Sequence, residues 1–124
     1  MDERLRSLPP AELDNIMEIA RRIAGAVHPL RIYLFGSFAD GSWGDDSDYD
    51  FYIVVEDGRD VMDARMRAGI SIWDIQKRPV DILGGSSSVF EKIAEAPDSL
   101  FVESEVNKKG IILYSNDDYE AIAV

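Results

Sequence analysis

The stretch LFGSFADGSWGDDSDYDFYIVV, residues 34–55, places a Gly-Ser pair at the end of one apolar run and an acidic cluster at the start of another. The two runs, 31–36 and 49–55, are rich in β-branched and aromatic residues, which predicts strands. The second run is apolar almost throughout, which favours a central strand over an edge strand. We therefore expect the acidic cluster to precede a strand in the middle of a sheet.

The composition limits the class of protein. The chain has 124 residues, 46% of them hydrophobic, which predicts one domain with a modest core. It has no cysteine and a single histidine, His28, so disulfides, thiolate or multi-histidine metal sites and a cysteine nucleophile are excluded. The net charge of −11 disfavours nucleic acid as a bulk partner. No apolar run is long enough for a membrane span, so we expect no membrane partner and a cytoplasmic location.

Apolar periodicity and turn residues predict an element order of α-β-β-α-β-α-α-β. Residues 1–8 are expected to fray, and the acidic tail 116–124 has no clear period. The fold class is therefore α/β or α+β, a small mixed sheet flanked by helices, in a single domain over 1–124 with its core at about 10–115. Helices are expected at 9–29, 60–78, 86–96 and 98–110, and strands at 31–36, 49–55, 79–84 and 111–115.

Local signatures support the second and third helices. A serine cap is expected at the start of helix 86–96, after a strand bounded by Gly84 and Gly85. Helix 60–78 is predicted from residues that share one face at helical spacing, namely Met62, Met66, Gly69, Ile70 and Trp73.

Three carboxylates are candidates for metal binding. Asp48 and Asp50 are two residues apart, so on an extended segment their side chains point the same way. Carboxylate oxygens are the ligands that Mg²⁺ prefers. Asp81 interrupts the apolar strand 79–84, where a lone charge is costly unless a group on a neighbouring strand compensates it.

Gly36 and Ser37 are candidates for phosphate binding. Glycine allows close approach to the backbone, and Ser37 offers a hydroxyl and a backbone N–H at the start of a short helix, 37–40. Phosphate donors beside metal-binding carboxylates are suited to phosphoryl or nucleotidyl transfer.

Plainer readings of the same residues remain open. The acidic residues 45–46 are typical of a solvated turn. A calcium loop is disfavoured because Phe51 and Asp57 stand where an EF-hand has Gly and Glu, and the phosphate-loop lysine motif is absent. A ribonuclease reading rests only on the spacing of Arg22 and His28.

The pattern GS-x10-D-x-D, formed by Gly36-Ser37 and Asp48-Tyr49-Asp50 and followed by Asp81, resembles the nucleotidyltransferase superfamily that includes DNA polymerase beta. The YLFGS lead-in, SDYDFYIVV and KKGIILYS look most like the minimal nucleotidyltransferases (MNT). The resemblance implies that Gly36 and Ser37 hold nucleotide phosphates and that Asp48 and Asp50 coordinate two Mg²⁺ ions. It implies that Asp81 shares one metal and helps to activate the attacking hydroxyl.

The resemblance also implies a substrate and a partner. Many MNT proteins are paired with a HEPN toxin and transfer AMP from ATP to one of its tyrosines, which makes them antitoxins of toxin–antitoxin modules. In this chain Phe38 and Asp40 follow the Gly-Ser pair, where family members often carry basic residues. Neutralisation of a triphosphate would then depend on the metals or on Arg65, Lys77 or Lys92. The alternatives are a catalytically weak antitoxin that acts by binding alone and a small-molecule transferase of the aminoglycoside type.

Overall fold

Four strands, β1 (Arg31–Phe35), β2 (Tyr49–Val55), β3 (Val80–Ser86) and β4 (Ile111–Ser115), form one mixed sheet in the order β3-β2-β1-β4. The computed structural model describes residues 1–96 and 100–116. β1 runs antiparallel to β2 and to β4, whereas β2 and β3 are parallel. The apolar β2 is therefore a central strand, as its sequence predicts.

Helices cover both faces of this sheet. The described helices are α1 (Glu3–Arg6), α2 (Pro10–Val27), α3 (Ser37–Asp40), α4 (Val61–Ile72), α5 (Ser87–Ala94) and α6 (Val102–Lys109). Ile16, Ile19 and Ile23 of α2 pack with α4 against Phe51 and Ile53 of β2. Side chains of α5 and α6 form a second cluster with Tyr52 and Val54 of the same strand. Alternation along β2 thus defines an α2/α4 face and an α5/α6 face of the sheet. The predicted mixed sheet flanked by helices is confirmed.

The first eight residues were predicted to fray, but they contain the helix α1. Asp2 caps α1 by accepting a hydrogen bond from the backbone N–H of Arg4 at 2.8 Å. Leu5 and Leu8 are buried in the main core. The Nη1 of Arg4 also donates to the carbonyl of Lys109 at 2.6 Å, which ties this segment to the end of α6. Two leucines at helical spacing provide the apolar contact that orders the segment.

Helix α4 is shorter than predicted and packs through a different face. It ends at Ile72 instead of residue 78. The predicted stripe of Met62, Met66, Ile70 and Trp73 is exposed. The buried residues of the helix are Ala64, Ala68 and Ile72, whose small or slender side chains let α4 lie close to its neighbours.

Strand β3 extends through the two glycines that were expected to end it. A Cβ at Gly84 would lie 2.9 Å from Ile53, and a Cβ at Gly85 would lie 2.4 Å from the hydroxyl of Tyr52. The glycines therefore permit close pairing with β2. Ser86 occupies the N-cap position of α5, as predicted, but its side chain makes no capping hydrogen bond. Asp57 instead accepts hydrogen bonds from the N–H and Oγ of Ser88.

The remaining predicted boundaries are close to those observed. Helix α2 ends in a left-handed cap at His28, with φ 51°. The predicted start of helix 98–110 and most of the tail 116–124 lie outside the described residues. Within the described ranges, no helix combines the length and apolar character needed to cross a membrane.

Candidate active site

The turn after β1 brings a glycine against a carboxylate. Gly36 has φ 72°, in the left-handed region, and α3 begins at the next residue, Ser37. A Cβ built on Gly36 would lie 2.3 Å from Oδ2 of Asp50. Glycine is therefore required here both by the backbone conformation and by the space that Asp50 occupies. The two halves of the sequence motif meet at this contact.

Asp50 and Asp81 are neighbours across the parallel strands β2 and β3. Their Cα atoms are paired in the register. Asp50 lies on the same side of β2 as Tyr52, and Asp81 lies on the same side of β3 as Leu83. Tyr52 and Leu83 both belong to the cluster on the α5/α6 face. The two carboxylates therefore lie on that same face, at the start of the strands.

Burial and like charges act together on Asp50. Burial first, and then the negative charges of Asp81, Asp48 and Glu105, together raise the pKa of the Asp50 carboxyl to about 6. Asp48 thus lies close enough to join Asp50 and Asp81 electrostatically. Glu105, on α6, is a fourth acidic residue at the site. Sequence reasoning missed it because it lies far along the chain in a helix with no motif of its own.

The donor set suits a hard cation. Within 1–96 and 100–116, no group of three or more Asp, Glu or His side chains already converges on one point. The pKa of Asp50 is raised first by burial and then by the negative charges of Asp81 and Asp48, so no positive group of the described residues compensates these carboxylates. Oxygen ligands with uncompensated charge are those that Mg²⁺ prefers. These residues therefore fit a divalent cation by their chemistry, and their convergence on it requires side-chain rotation.

Arg78 holds the loop that leads into Asp48. Its Nη1 donates to the carbonyls of Gly44, Asp45 and Ser47, each at 3.0 Å. Its Nη2 and Nε donate to the carboxylate of Glu12 on α2 at 3.0–3.2 Å. Sequence reasoning missed this anchor, because its partners are more than 30 residues away along the chain.

Phe38 belongs to the core. It is buried, stacks on Trp43 with ring centroids 5.0 Å apart and meets Tyr49 edge-on at 4.9 Å. The guanidinium carbon of Arg78 lies 5.1 Å from the centroid of Phe38. Phe38 therefore serves as a core residue, and its ring face contacts the guanidinium of Arg78.

Asp40 is engaged in the turn after α3. Its carboxylate accepts a hydrogen bond from the backbone N–H of Ser42 at 2.8 Å. This hydrogen bonding holds the pKa of Asp40 below its usual value. The acidic residues Asp45 and Asp46 lie in an exposed turn, as predicted.

Of the three cations considered from the sequence, Arg65 of α4 packs against β3 on the α2/α4 face, opposite the face that carries Asp50 and Asp81. Its Nε donates to the carbonyl of Ile82 at 2.8 Å, one residue beyond Asp81. Its aliphatic carbons lie against β3, 3.5 Å from the Cβ position of Gly84. Lys77 lies instead in a surface pocket beside Glu12, and Lys92 is exposed on α5.

The mixed sheet and the acidic pair at the start of its parallel strands define a nucleotidyltransferase fold. Residues 15–119 match the family described as Polymerase beta, Nucleotidyltransferase, and the chain belongs to this family. No curated protein matches the sequence significantly.

Solved structures share this fold. A candidate nucleotidyltransferase from Sulfolobus solfataricus is 20% identical, with a TM-score of 0.53 over 84% of this chain and 80% of the other. A chain of a toxin–antitoxin complex with AMP-PNP is also 20% identical, with a TM-score of 0.54 over 86% and 82%. A chain of the mutant toxin–antitoxin pair MntA–HpeT is 19% identical, with a TM-score of 0.51 over 89% and 81%.

Proposed function

We propose that this chain is a Mg²⁺-dependent nucleotidyltransferase that transfers AMP from ATP to a hydroxyl of a protein partner, a tyrosine of a HEPN-type toxin, and so acts as an antitoxin. The single observation that carries the transferase proposal is the juxtaposition of Gly36, Asp50 and Asp81 at one end of the parallel strands. Membership of the polymerase beta nucleotidyltransferase family supports it.

Each motif residue has a proposed task. Asp48, Asp50 and Asp81 would hold two Mg²⁺ ions, which neutralise charge on the phosphates when bound. Gly36 leaves room for the carboxylate of Asp50, and the hydroxyl and backbone N–H of Ser37 beside it would bind a phosphate group. The acceptor hydroxyl attacks the α-phosphorus of ATP, its proton passes to a carboxylate and pyrophosphate leaves. Asp81 is exposed, so an incoming hydroxyl can reach it as the proton acceptor.

A protein acceptor is supported by the fold neighbours. Two of them come from toxin–antitoxin pairs, one of which was crystallised with AMP-PNP. The choice of a HEPN-type toxin follows from the resemblance of the sequence motif to the MNT proteins. The acidic character of the chain, with a net charge of −11, suits a basic protein partner.

Binding without chemistry is the second candidate. It is favoured by Phe38, which stands where a basic residue often follows the Gly-Ser pair and is used here as a core residue. An antitoxin that only covers its partner would not need the carboxylates.

One experiment separates the two candidates. The protein is incubated with labelled ATP, Mg²⁺ and the product of the neighbouring gene, and transfer of label to that product is followed. Asp48→Asn tests the site, and Asp46→Asn, in the exposed turn two residues earlier, is the matched control. We expect transfer by wild type and by Asp46→Asn and its loss in Asp48→Asn. Absence of transfer by wild type, with Asp48→Asn still neutralising the partner in cells, would support binding alone.

A further inference from the structure

An apolar stripe lies on the outer face of α4. Met62, Met66, Ile70 and Trp73 are 59%, 60%, 74% and 80% exposed. The helix packs inward through Ala64, Ala68 and Ile72, so the stripe lies on the opposite side of the helix from the core. Four large apolar side chains on one exposed helix face are unusual for a surface that only meets water.

The stripe has the spacing of a coiled-coil seam. Met62, Met66, Gly69 and Trp73 are separated by four, three and four residues, which is the alternation of the a and d positions of a heptad. Gly69 has open space where its Cβ would be. It forms the floor of an open groove of about 400 Å³ that is lined by Met66, Ile70 and Trp73.

This seam is complementary to itself. In an antiparallel helix pair, a positions face d positions of the partner. One register places Met66 over Gly69 of a second copy and, at the same time, Trp73 over Met62 of that copy. Both contacts occur twice because the pairing is two-fold symmetric. The groove over Gly69 gives the room that the methionine needs.

Area and charge favour a second copy as the occupant. Side chains of this size present on the order of 200 Å² each, so their exposed parts give about 500 Å² per copy and roughly 1,000 Å² for a pair, the lower limit for a specific interface. The charges beside the seam are balanced, since Asp63 and Arg67 form an ion pair at 2.8 Å. This pair adds no net charge beside the stripe, although the whole chain has a net charge of −11.

The position of α4 gives a further reason. It covers the α2/α4 face, whereas Asp50 and Asp81 lie on the α5/α6 face, so a polypeptide that reaches the carboxylates approaches the other side of the sheet. We infer that the α4 stripe is the interface of a homodimer formed by antiparallel packing of α4 on α4 of a second copy. This dimer leaves both acidic faces open to an acceptor.

Sedimentation tests the dimer. We expect the mass to double from 13.9 kDa as the protein concentration rises through about 10 µM, because the area is at the lower limit for stable interfaces. Salt is expected to strengthen the association, since two copies with a net charge of −11 repel at long range. Met66→Glu/Ile70→Glu is expected to stay monomeric with an unchanged circular dichroism melt. Val89→Glu, at another exposed apolar residue on α5, is the matched control and is expected to dimerise.

Cysteine cross-linking tests the register, on a chain that has no cysteine of its own. Met62→Cys/Trp73→Cys is expected to form a covalent dimer on mild oxidation. Either single variant is expected to cross-link poorly, because identical residues are about 16 Å apart along an antiparallel pair at 1.5 Å per residue. A monomeric wild type at 100 µM, a dimer that survives Met66→Glu/Ile70→Glu, or efficient cross-linking of the single variants would each overturn the proposal.

Discussion

The carboxylate of Asp50 occupies the space that a side chain at Gly36 would fill, with Oδ2 2.3 Å from the position of a Cβ. This contact links the turn after β1 to the acidic strand β2. It makes the glycine of the motif a structural requirement of the site as well as a candidate phosphate ligand. The same contact can be tested without any knowledge of the substrate.

Gly36→Ala is expected to destabilise the protein by about 3 kcal/mol, since it combines backbone strain at positive φ with a clash against Asp50. Gly41→Ala is the matched control, because Gly41 also has positive φ, 88°, but open space around its Cβ position. That variant is expected to lose only about 1 kcal/mol, from backbone strain. Urea unfolding measures both, and equal losses would show that the contact with Asp50 carries no energy.

Asp50→Asn is expected to stabilise the metal-free protein at neutral pH. The folded pKa of about 6 exceeds the ordinary 3.8, so the folded state binds more protons than the unfolded state between these values. Stability is therefore lost as the pH rises from 4 to 6, and the loss is complete at pH 7. Removal of the charge should raise the free energy of unfolding by about 1 kcal/mol at pH 7.5, a value that is reduced because the side chain is partly solvated. At pH 4 the substitution should change this free energy by almost nothing.

The measurement for Asp50 is thermal unfolding across this pH range, with Asp46→Asn as an exposed control. Added Mg²⁺ should raise the melting temperature of wild type and have a smaller effect on Asp50→Asn, because binding to the folded state stabilises it. A variant that is less stable than wild type at pH 7.5 would contradict the raised pKa.

Glu12→Gln is expected to cost about 2 kcal/mol at pH 7, since it leaves a half-buried guanidinium at Arg78 without its charged partner. Burial raises the pKa of Glu12, but hydrogen bonds from Arg78 and Tyr49 outweigh it and lower the pKa below 4.5. This stabilisation is present above pH 4.5 and is lost as the pH falls through the lowered value.

The difference in the free energy of unfolding between wild type and Glu12→Gln should accordingly become smaller below pH 4.5. Denaturant unfolding at several pH values follows it. Glu18→Gln is the control, because Glu18 forms an exposed ion pair with Arg21 at 2.8 Å, and its stability should stay close to that of wild type. A constant difference at all pH values would point to packing instead of charge.

Leu5→Ala is expected to cost about 2–4 kcal/mol, because Leu5 is buried in the main core and its truncation leaves a cavity. Arg6→Ala, at the exposed neighbouring position, should change stability by less than about 0.5 kcal/mol. Thermal or urea unfolding checks both. If Leu5→Ala unfolds like wild type, the first helix contributes nothing to the core.

Patterns within single segments were sufficient to predict most of the fold. The apolar run of β2 predicted its central place, because a strand buried on both faces has no polar side. The position of helix α4 in the chain was predicted correctly, but the face that packs against the core was not. Its core contacts come largely from Ala64 and Ala68, whose small side chains give little hydrophobic signal in the sequence. Residues 1–8 were expected to fray because Leu5 and Leu8 alone give too short a period to reveal a helix.

The site was predictable only in part. Gly36 and Asp50 could be singled out from their spacing and from the resemblance, and the structure places them in contact. Arg78 and Glu105 could not, because their importance comes from residues brought near by the folded sheet and not from neighbours in sequence. The roles of Asp48, Asp81 and Ser37 in metal and phosphate binding remain predictions for the experiments above.

Arg78 also joins the starts of the two acidic strands. Its side chain donates hydrogen bonds to carbonyls of the loop just before β2. The carbonyl of the next residue, Pro79, accepts a hydrogen bond from the N–H of Tyr49 at 3.0 Å. Because side chains alternate between the faces of a sheet, a slip of β3 by one residue would turn Asp81 to the side opposite Asp50. An arginine outside the motif thus anchors both strands at the end where the paired acids share one side of the sheet.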